Sequence, residues 1–423
     1  MDILQKFRGF PVGPAMYGAL NLVIILVVNK ISDLPVWVKN WEGKATQIAS
    51  FQLPTDNFYP PGASILLAPF LWNDPNFEVA VFFYFVAASM IYFMICSELL
   101  ANQALRRLAL VAFTFNPYLV WLSNSSQDTV FELFLLLCGA ALIVKRRYVL
   151  SFLPLYLLCL TRPAYWVFLL LLPLVLRRMR VGNIKNRAIS WNQMLIPYSF
   201  LLLTFSLNQI AFSSPSLAHE GGLTAHFSHN KYFYLSMPKF DMDVFLSTGG
   251  NMNPENEIGS SNRFNEIKDL HLRSALISIV ENPKNLALNT LQKLDSYVFA
   301  VQKNPQLPGE YFLSSDKRSI VIGDERLTWT LILGNIAYFF YRATLLILLI
   351  ASVTLFVISP QLRKYLREQP AVLLAMPFIC GLVPGLLFYT ESRFKVVSEL
   401  LLVPLVLMTL TQFRKIHLNS FVD

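Results

Sequence analysis

Apolar residues run along this chain in long continuous stretches, separated by short basic clusters. The stretches lie near 13–31, 78–100, 104–122, 129–144, 148–176, 189–212, 327–358, 371–390 and 396–412. Most are roughly 17–25 residues long, the length a helix needs to cross about 30 Å of hydrocarbon. A helix satisfies its own backbone hydrogen bonds there, whereas a closed barrel would show short alternating segments. These runs are continuous and rich in Leu, Phe and Ile, so the pattern predicts an all-α polytopic membrane protein.

The basic clusters set the orientation. They are Lys6 with Arg8, Arg106 with Arg107, Lys145 to Arg147, Arg177 to Arg180, Arg363 to Arg367, and Arg414 with Lys415. Such clusters mark the inner face, so an even number of crossings must fit between successive ones. The 148–176 stretch is strongly basic on both flanks. It is therefore expected to be a pair of short helices with Thr161-Arg162-Pro163 at the outer turn. The 327–358 run is too long for one span, and its first part is expected along the interface. The total is about ten transmembrane helices with both termini inside. No small-residue cleavage site follows the first run, which reads as a retained helix rather than a cleaved signal.

Three regions follow. Residues 1–212 form an N-terminal transmembrane region with a first outer loop over 32–77. Residues 213–326 form a large polar outer loop, and 327–423 a C-terminal transmembrane region. In the first loop, Asn57-Phe58-Tyr59-Pro60-Pro61-Gly62 precedes an apolar stretch too short to span. Two prolines suit the start of a helix and bar its interior, so a short interfacial helix is expected there. In the large loop, 273–300 shows helical periodicity broken at Glu281-Asn282-Pro283, with Asn282 placed as N-cap. Ala287, Leu291, Leu294 and Val298 share one face of the second half. It fits a helix lying on the membrane surface, or one buried in a small loop domain.

Composition narrows the class further. Only 14% of the 423 residues are charged, against about 25% in soluble domains. The net charge of +9 resides mainly in the inter-helix clusters, so nucleic acid is not the expected partner; membrane lipids are. The four cysteines lie inside apolar runs without metal-ligand spacing. His219, His226 and His229 sit together in the large loop but lack helical spacing, and no metal site is assigned to them.

Charged residues gather at the outer helix ends: Glu42, Asp56, Asp128, Arg162, Arg342, Glu391, Arg393 and Lys395. The helix middles read as apolar, which argues for an enzyme over a transporter or lipid flippase with midplane charges. Carboxylates and cations at one depth suit an anionic substrate handled by an acid–base group. Arginine is well shaped to hold a phosphate.

These residues resemble the polytopic glycosyltransferases of the GT-C class, which take a sugar from a polyprenyl-phosphate carrier on the outer or lumenal face. Four stretches carry the resemblance. Trp41-Glu42 with Tyr59-Pro60-Pro61-Gly62 resembles the family's first outer loop. Asn116-Pro117-Tyr118 through Asp128 resembles its turn between the third and fourth helices. Thr161-Arg162-Pro163 resembles its short outer turn, and Tyr389-Thr390-Glu391-Ser392-Arg393-Phe394 its late Glu-x-Arg-Tyr stretch. Relatives often carry paired acids in the first loop, whereas Glu42 stands alone here, so Glu42, Asp56 and Asp33 all stay open as the base. The resemblance implies an inverting transfer to a glycan, lipid or protein acceptor. It implies that Glu42, Asp56 and Asp128 act as catalytic carboxylates. Arg162, Arg393, Lys395 and Arg342 would hold the donor phosphate, and Tyr59 and Glu391 would contact substrate. No cofactor is assigned, and Asp128 stays open as a ligand for a sugar hydroxyl, a divalent cation or the acceptor. A bacterial inner membrane with a periplasmic active face is the expected setting.

Overall fold

The computed structural model describes residues 13–32, 39–52, 54, 61–71, 77–116, 119, 128–179, 189–212, 225, 229, 265–266, 270–281, 283–298, 311–313, 320–322, 325–387 and 393–419. Among them the chain is predominantly helical. In the first half, α1 spans Pro14–Ser32, α2 Lys39–Ala49, α3 Gly62–Leu67, α4 Phe77–Leu99, α5 Gln103–Thr114, α6 Thr129–Val144 and α7 Tyr148–Thr161. A single 3-10 turn, Pro163–Tyr165, leads into α8 at Trp166–Arg178. Then come α9 at Trp191–Met194, α10 at Ile196–Phe212, α11 at Leu270–Glu281 and α12 at Pro283–Val298. The last third holds α13 at Glu325–Ile358, α14 at Pro360–Arg367, α15 at Met376–Leu387 and α16 at Arg393–Asn419.

Among the described residues, each apolar run of the sequence contains a helix. Among the described residues, four stretches are long and apolar enough to cross a membrane: Val79–Leu99, Trp191–Phe212, Phe339–Ile358 and Val396–Ile416. A fifth is available if α14 and the following helix, bent by 86° at Gln369-Pro370, count as one broken span. Their outward side chains fit lipid rather than water. Leu202, Ile210, Ile347, Ile350, Val353 and Val357 are all exposed, a continuous apolar display that soluble surfaces avoid.

Local chemistry sets the helix ends. Asn102 caps α5 by accepting from the Ala104 N–H at 2.8 Å, and Ser190 with Gln193 forms a capping box at α9. Pro61 stands at the start of α3, as the Pro-Pro-Gly sequence predicts. The break between α11 and α12 falls at Pro283 as expected, while Asn282 lies outside the described residues.

Two features differ from expectation and one refines it. First, α5 stops at Thr114 instead of continuing to 122. Asn116 precedes a proline, which disfavours helical backbone, and its Oδ1 accepts from the Leu119 N–H at 3.0 Å to make a local turn. Second, α13 is one unbroken helix of 34 residues, about 51 Å long, of which Phe339–Ile358 is the membrane-length stretch. Nothing in Glu325–Ile358 is a proline, so no residue forces a break. Third, the large loop carries a small antiparallel ladder pairing Tyr311–Leu313 with Ile320–Ile322.

The core lies where α4 packs against α1 and α6, and α6 against α7. Phe85, Tyr92, Phe113, Phe131, Phe152 and Phe168 are fully buried there. Small residues bring the helices close: a β-carbon on Gly139 would lie 2.8 Å from Leu155 Cγ, so α6 and α7 approach tightly at that level. The last helix joins this core through Tyr92, whose hydroxyl donates to the Leu400 carbonyl at 3.3 Å.

Candidate active site

The start of α6 and the end of α7 meet at one point, and charge is concentrated there. Asp128 immediately precedes α6 but makes no side-chain cap. Its Oδ1 instead accepts from Arg162 Nη2 at 2.6 Å. Glu132 is four residues on, so it shares a helix face with Asp128. Its Oε2 lies 3.0 Å from Arg162 Nε, and its Oε1 accepts from the Tyr165 hydroxyl at 2.6 Å. One guanidinium thus sits between two carboxylates, and a tyrosine hydroxyl closes the far side.

Burial separates the roles of these groups. The Glu132 side chain is wholly inaccessible, whereas Asp128 keeps 13% of its side chain exposed. Glu132 therefore holds Arg162 from the buried side, and Asp128 is the more exposed carboxylate of the pair. Among the described residues, two carboxylates face one guanidinium, a formal charge of −1 when both are ionised. Such a surplus in a low-dielectric setting favours an incoming proton or cation.

The first outer loop reaches the same place through its backbone. The start of α3 packs on the end of α7, and a β-carbon on Gly62 would come within 2.5 Å of the Thr161 backbone nitrogen and 2.6 Å of the Leu160 carbonyl carbon. Only glycine permits that approach. In turn α2 packs on α3, with Ser64 Oγ donating to the Trp41 carbonyl at 3.1 Å and Trp41 and Ala45 buried. Glu42 follows Trp41 in α2, so its helix is docked two packing steps from Arg162; its side chain lies outside the described residues. Asp33, Asp56, Tyr59 and Glu391 also lie outside them. Arg393 and Lys395 open α16, with only their backbone described.

Arg342 does not join this cluster. It is buried on α13 and forms an ion pair with Glu399 of α16. Three ionisable groups are buried near the ends of apolar stretches: Glu132 in the first turn of α6, and Arg342 and Glu399 close to the starts of Phe339–Ile358 and Val396–Ile416. Glu132, Tyr165 and Glu399 are site candidates that loop-end counting misses. The usable signal was an acid within an apolar run, and for Glu132 its spacing of four from Asp128.

On the large-loop side, Lys293 of α12 is fully buried and donates from Nζ to the Leu386 carbonyl at 3.1 Å near the end of α15. Burial pulls its ammonium down to about 7. Since α15 also packs on the Pro163–Tyr165 turn, one helix touches both the Lys293 contact and the Arg162 turn. His229 is buried, and its carbonyl accepts from Ser278 Oγ; His219 and His226 lie outside the described residues. Among the described residues, no three His, Cys, Asp or Glu side chains gather in a metal-binding group.

Compared with models of known protein families, with curated proteins and with solved structures, the chain matches none.

Proposed function

We propose that this chain is an inverting glycosyltransferase of the GT-C kind, moving a sugar from a polyprenyl-phosphate carrier to an acceptor hydroxyl at the outer membrane face. The observation that carries this reading is the Asp128–Arg162–Glu132 cluster, with the Pro-Pro-Gly helix of the first outer loop seated on Thr161. It joins a reachable carboxylate, an oriented guanidinium and an outer loop, which is the equipment such a transfer requires.

In this reading the acceptor O–H gives its proton to a carboxylate, Asp128 or a first-loop acid, as its oxygen attacks the anomeric carbon. The bond from that carbon to the carrier phosphate breaks, and the phosphate leaves with the electron pair. Attack from the opposite face inverts the anomeric centre. Arg162, held by Glu132, meets the charge growing on the phosphate, with Arg393 and Lys395 as further cations. Tyr59 and Glu391 would contact the sugar or acceptor. The ten apolar helices would then all cross the bilayer. Both ends would be cytoplasmic and the active face periplasmic, in a bacterial inner membrane. The acceptor class is a glycan, a lipid or a protein.

Transfer assays with purified protein, polyprenyl-phosphate sugars and candidate acceptors test the proposal. Product is expected from the native chain, with a loss of at least about a hundredfold in Asp128→Asn. Undiminished transfer by an Asp128→Asn, Glu42→Gln, Asp56→Asn triple variant would overturn it. A second reading, translocation of a lipid-linked glycan, draws on the buried Arg342–Glu399 pair, because ionisable groups inside spans mark transport paths. Lipid movement across sealed vesicles without sugar transfer would favour that reading instead.

A further inference from the structure

A second feature lies at the opposite end of α8 from the Arg162 turn, about 18 Å along the helix. There a cavity of about 500 Å³ opens between α8, α9 and α15. Its walls are apolar, from Leu171, Leu174, Val175 and Ile379, and Arg177, Arg178 and Trp191 stand at its rim. The guanidinium of Arg177 lies over the Trp191 ring at 4.4 Å and donates from Nη1 to the Ile189 carbonyl at 3.0 Å. Arg177 is therefore held in place, while Arg178 and Trp191 are exposed.

We infer that this cavity is a binding site for an anionic diacyl phospholipid of the bilayer. Three observations converge. The walls are apolar side chains exposed on the outside of the helix bundle, suited to acyl chains. The rim carries two arginines, the charge complement of a phosphodiester headgroup. An exposed tryptophan beside them marks the level of a membrane interface, where its amphipathic ring is at home. The long apolar walls favour a lipid over a soluble anion. The site is distinct from the proposed reaction centre and does not depend on the sugar-transfer reading.

Quenching of Trp191 by brominated lipids tests the inference, with the Trp191 signal isolated by difference from Trp191→Phe. In bilayers, brominated phosphatidylglycerol is expected to quench it at a mole fraction at least threefold lower than brominated phosphatidylcholine. Arg178→Gln keeps the Arg177–Trp191 stack and is expected to bring the two lipids to parity. Equal quenching by both lipids in the native chain, or a preference that survives Arg178→Gln, overturns the inference. Relief of quenching by a polyprenyl monophosphate at lower mole fraction than by unlabelled phosphatidylglycerol overturns the choice of occupant.

Discussion

Gly62 sits against Thr161 so closely that a β-carbon on it would lie 2.5 Å from the Thr161 backbone nitrogen. The obstacle is backbone, which cannot rotate away as a side chain can. Gly62→Ala is therefore expected to push α3 off the end of α7. Overpacking of this kind costs about 1–3 kcal/mol. The expected result is a lower thermal midpoint in detergent and at least a tenfold loss of transfer, because the first-loop helix would no longer meet the Arg162 turn. Native activity in Gly62→Ala would show that this contact does not position the site.

Arg162 balances two carboxylates, so removing it differs from removing the whole cluster. Arg162→Met leaves Asp128 and Glu132 facing each other without a cation, a change expected to cost about 3–5 kcal/mol. The double variant Arg162→Met, Glu132→Gln removes one of those charges and is expected to recover a substantial part of that loss. Thermal unfolding of both variants reads the difference. Equal midpoints for the two would mean that the pairing contributes nothing.

Tyr165 donates to Glu132, so under the proposed function it acts through Glu132. Tyr165→Phe keeps the ring and removes the hydroxyl that donates to Glu132 at 2.6 Å. Hydrogen bonds to charged groups contribute about 1.5–3 kcal/mol. The expected kinetic signature is a fall in kcat with little change in KM for the donor. A rise in KM alone would place Tyr165 in direct contact with the donor instead.

Lys293 makes the docking of α12 on α15 depend on pH. Its folded-state value is pulled down to about 7 from 10.5 by burial. Between those values the undocked lysine binds a proton and the docked one does not, so docking strengthens as pH rises through that window. Below about 7 both forms are charged and the cost of burying the ammonium is fully present. Hydrogen exchange of Pro283–Val298 at pH 6 to 9, corrected for the intrinsic rate, is expected to slow by up to about tenfold per pH unit above 7. In Lys293→Met that slope is expected to vanish; an unchanged slope would assign it to another group.

The long apolar runs were enough to place the helices, because the hydrophobic pattern acts on local sequence. The Pro-Pro-Gly helix start, the Pro283 break and the turn at Arg162 were legible for the same reason. The stop of α5 at Thr114 was not read correctly, although Asn116-Pro117 carried the signal; apolar continuity to 122 outweighed it. The excess length of the 327–358 run was also legible, since only Phe339–Ile358 of α13 makes a membrane-length stretch.

The candidate site divides along the same line. Sequence alone determined that Arg162 and Asp128 both stand at helix ends, since each borders an apolar run. Tertiary structure decided that they touch, that Glu132 and Tyr165 complete the cluster, and that Arg342 pairs with Glu399 elsewhere. Those facts depend on which helix faces pack together. That packing is set by close approaches such as Gly139 on Leu155 and Gly62 on Thr161, between residues far enough apart along the chain that no local pattern encodes them.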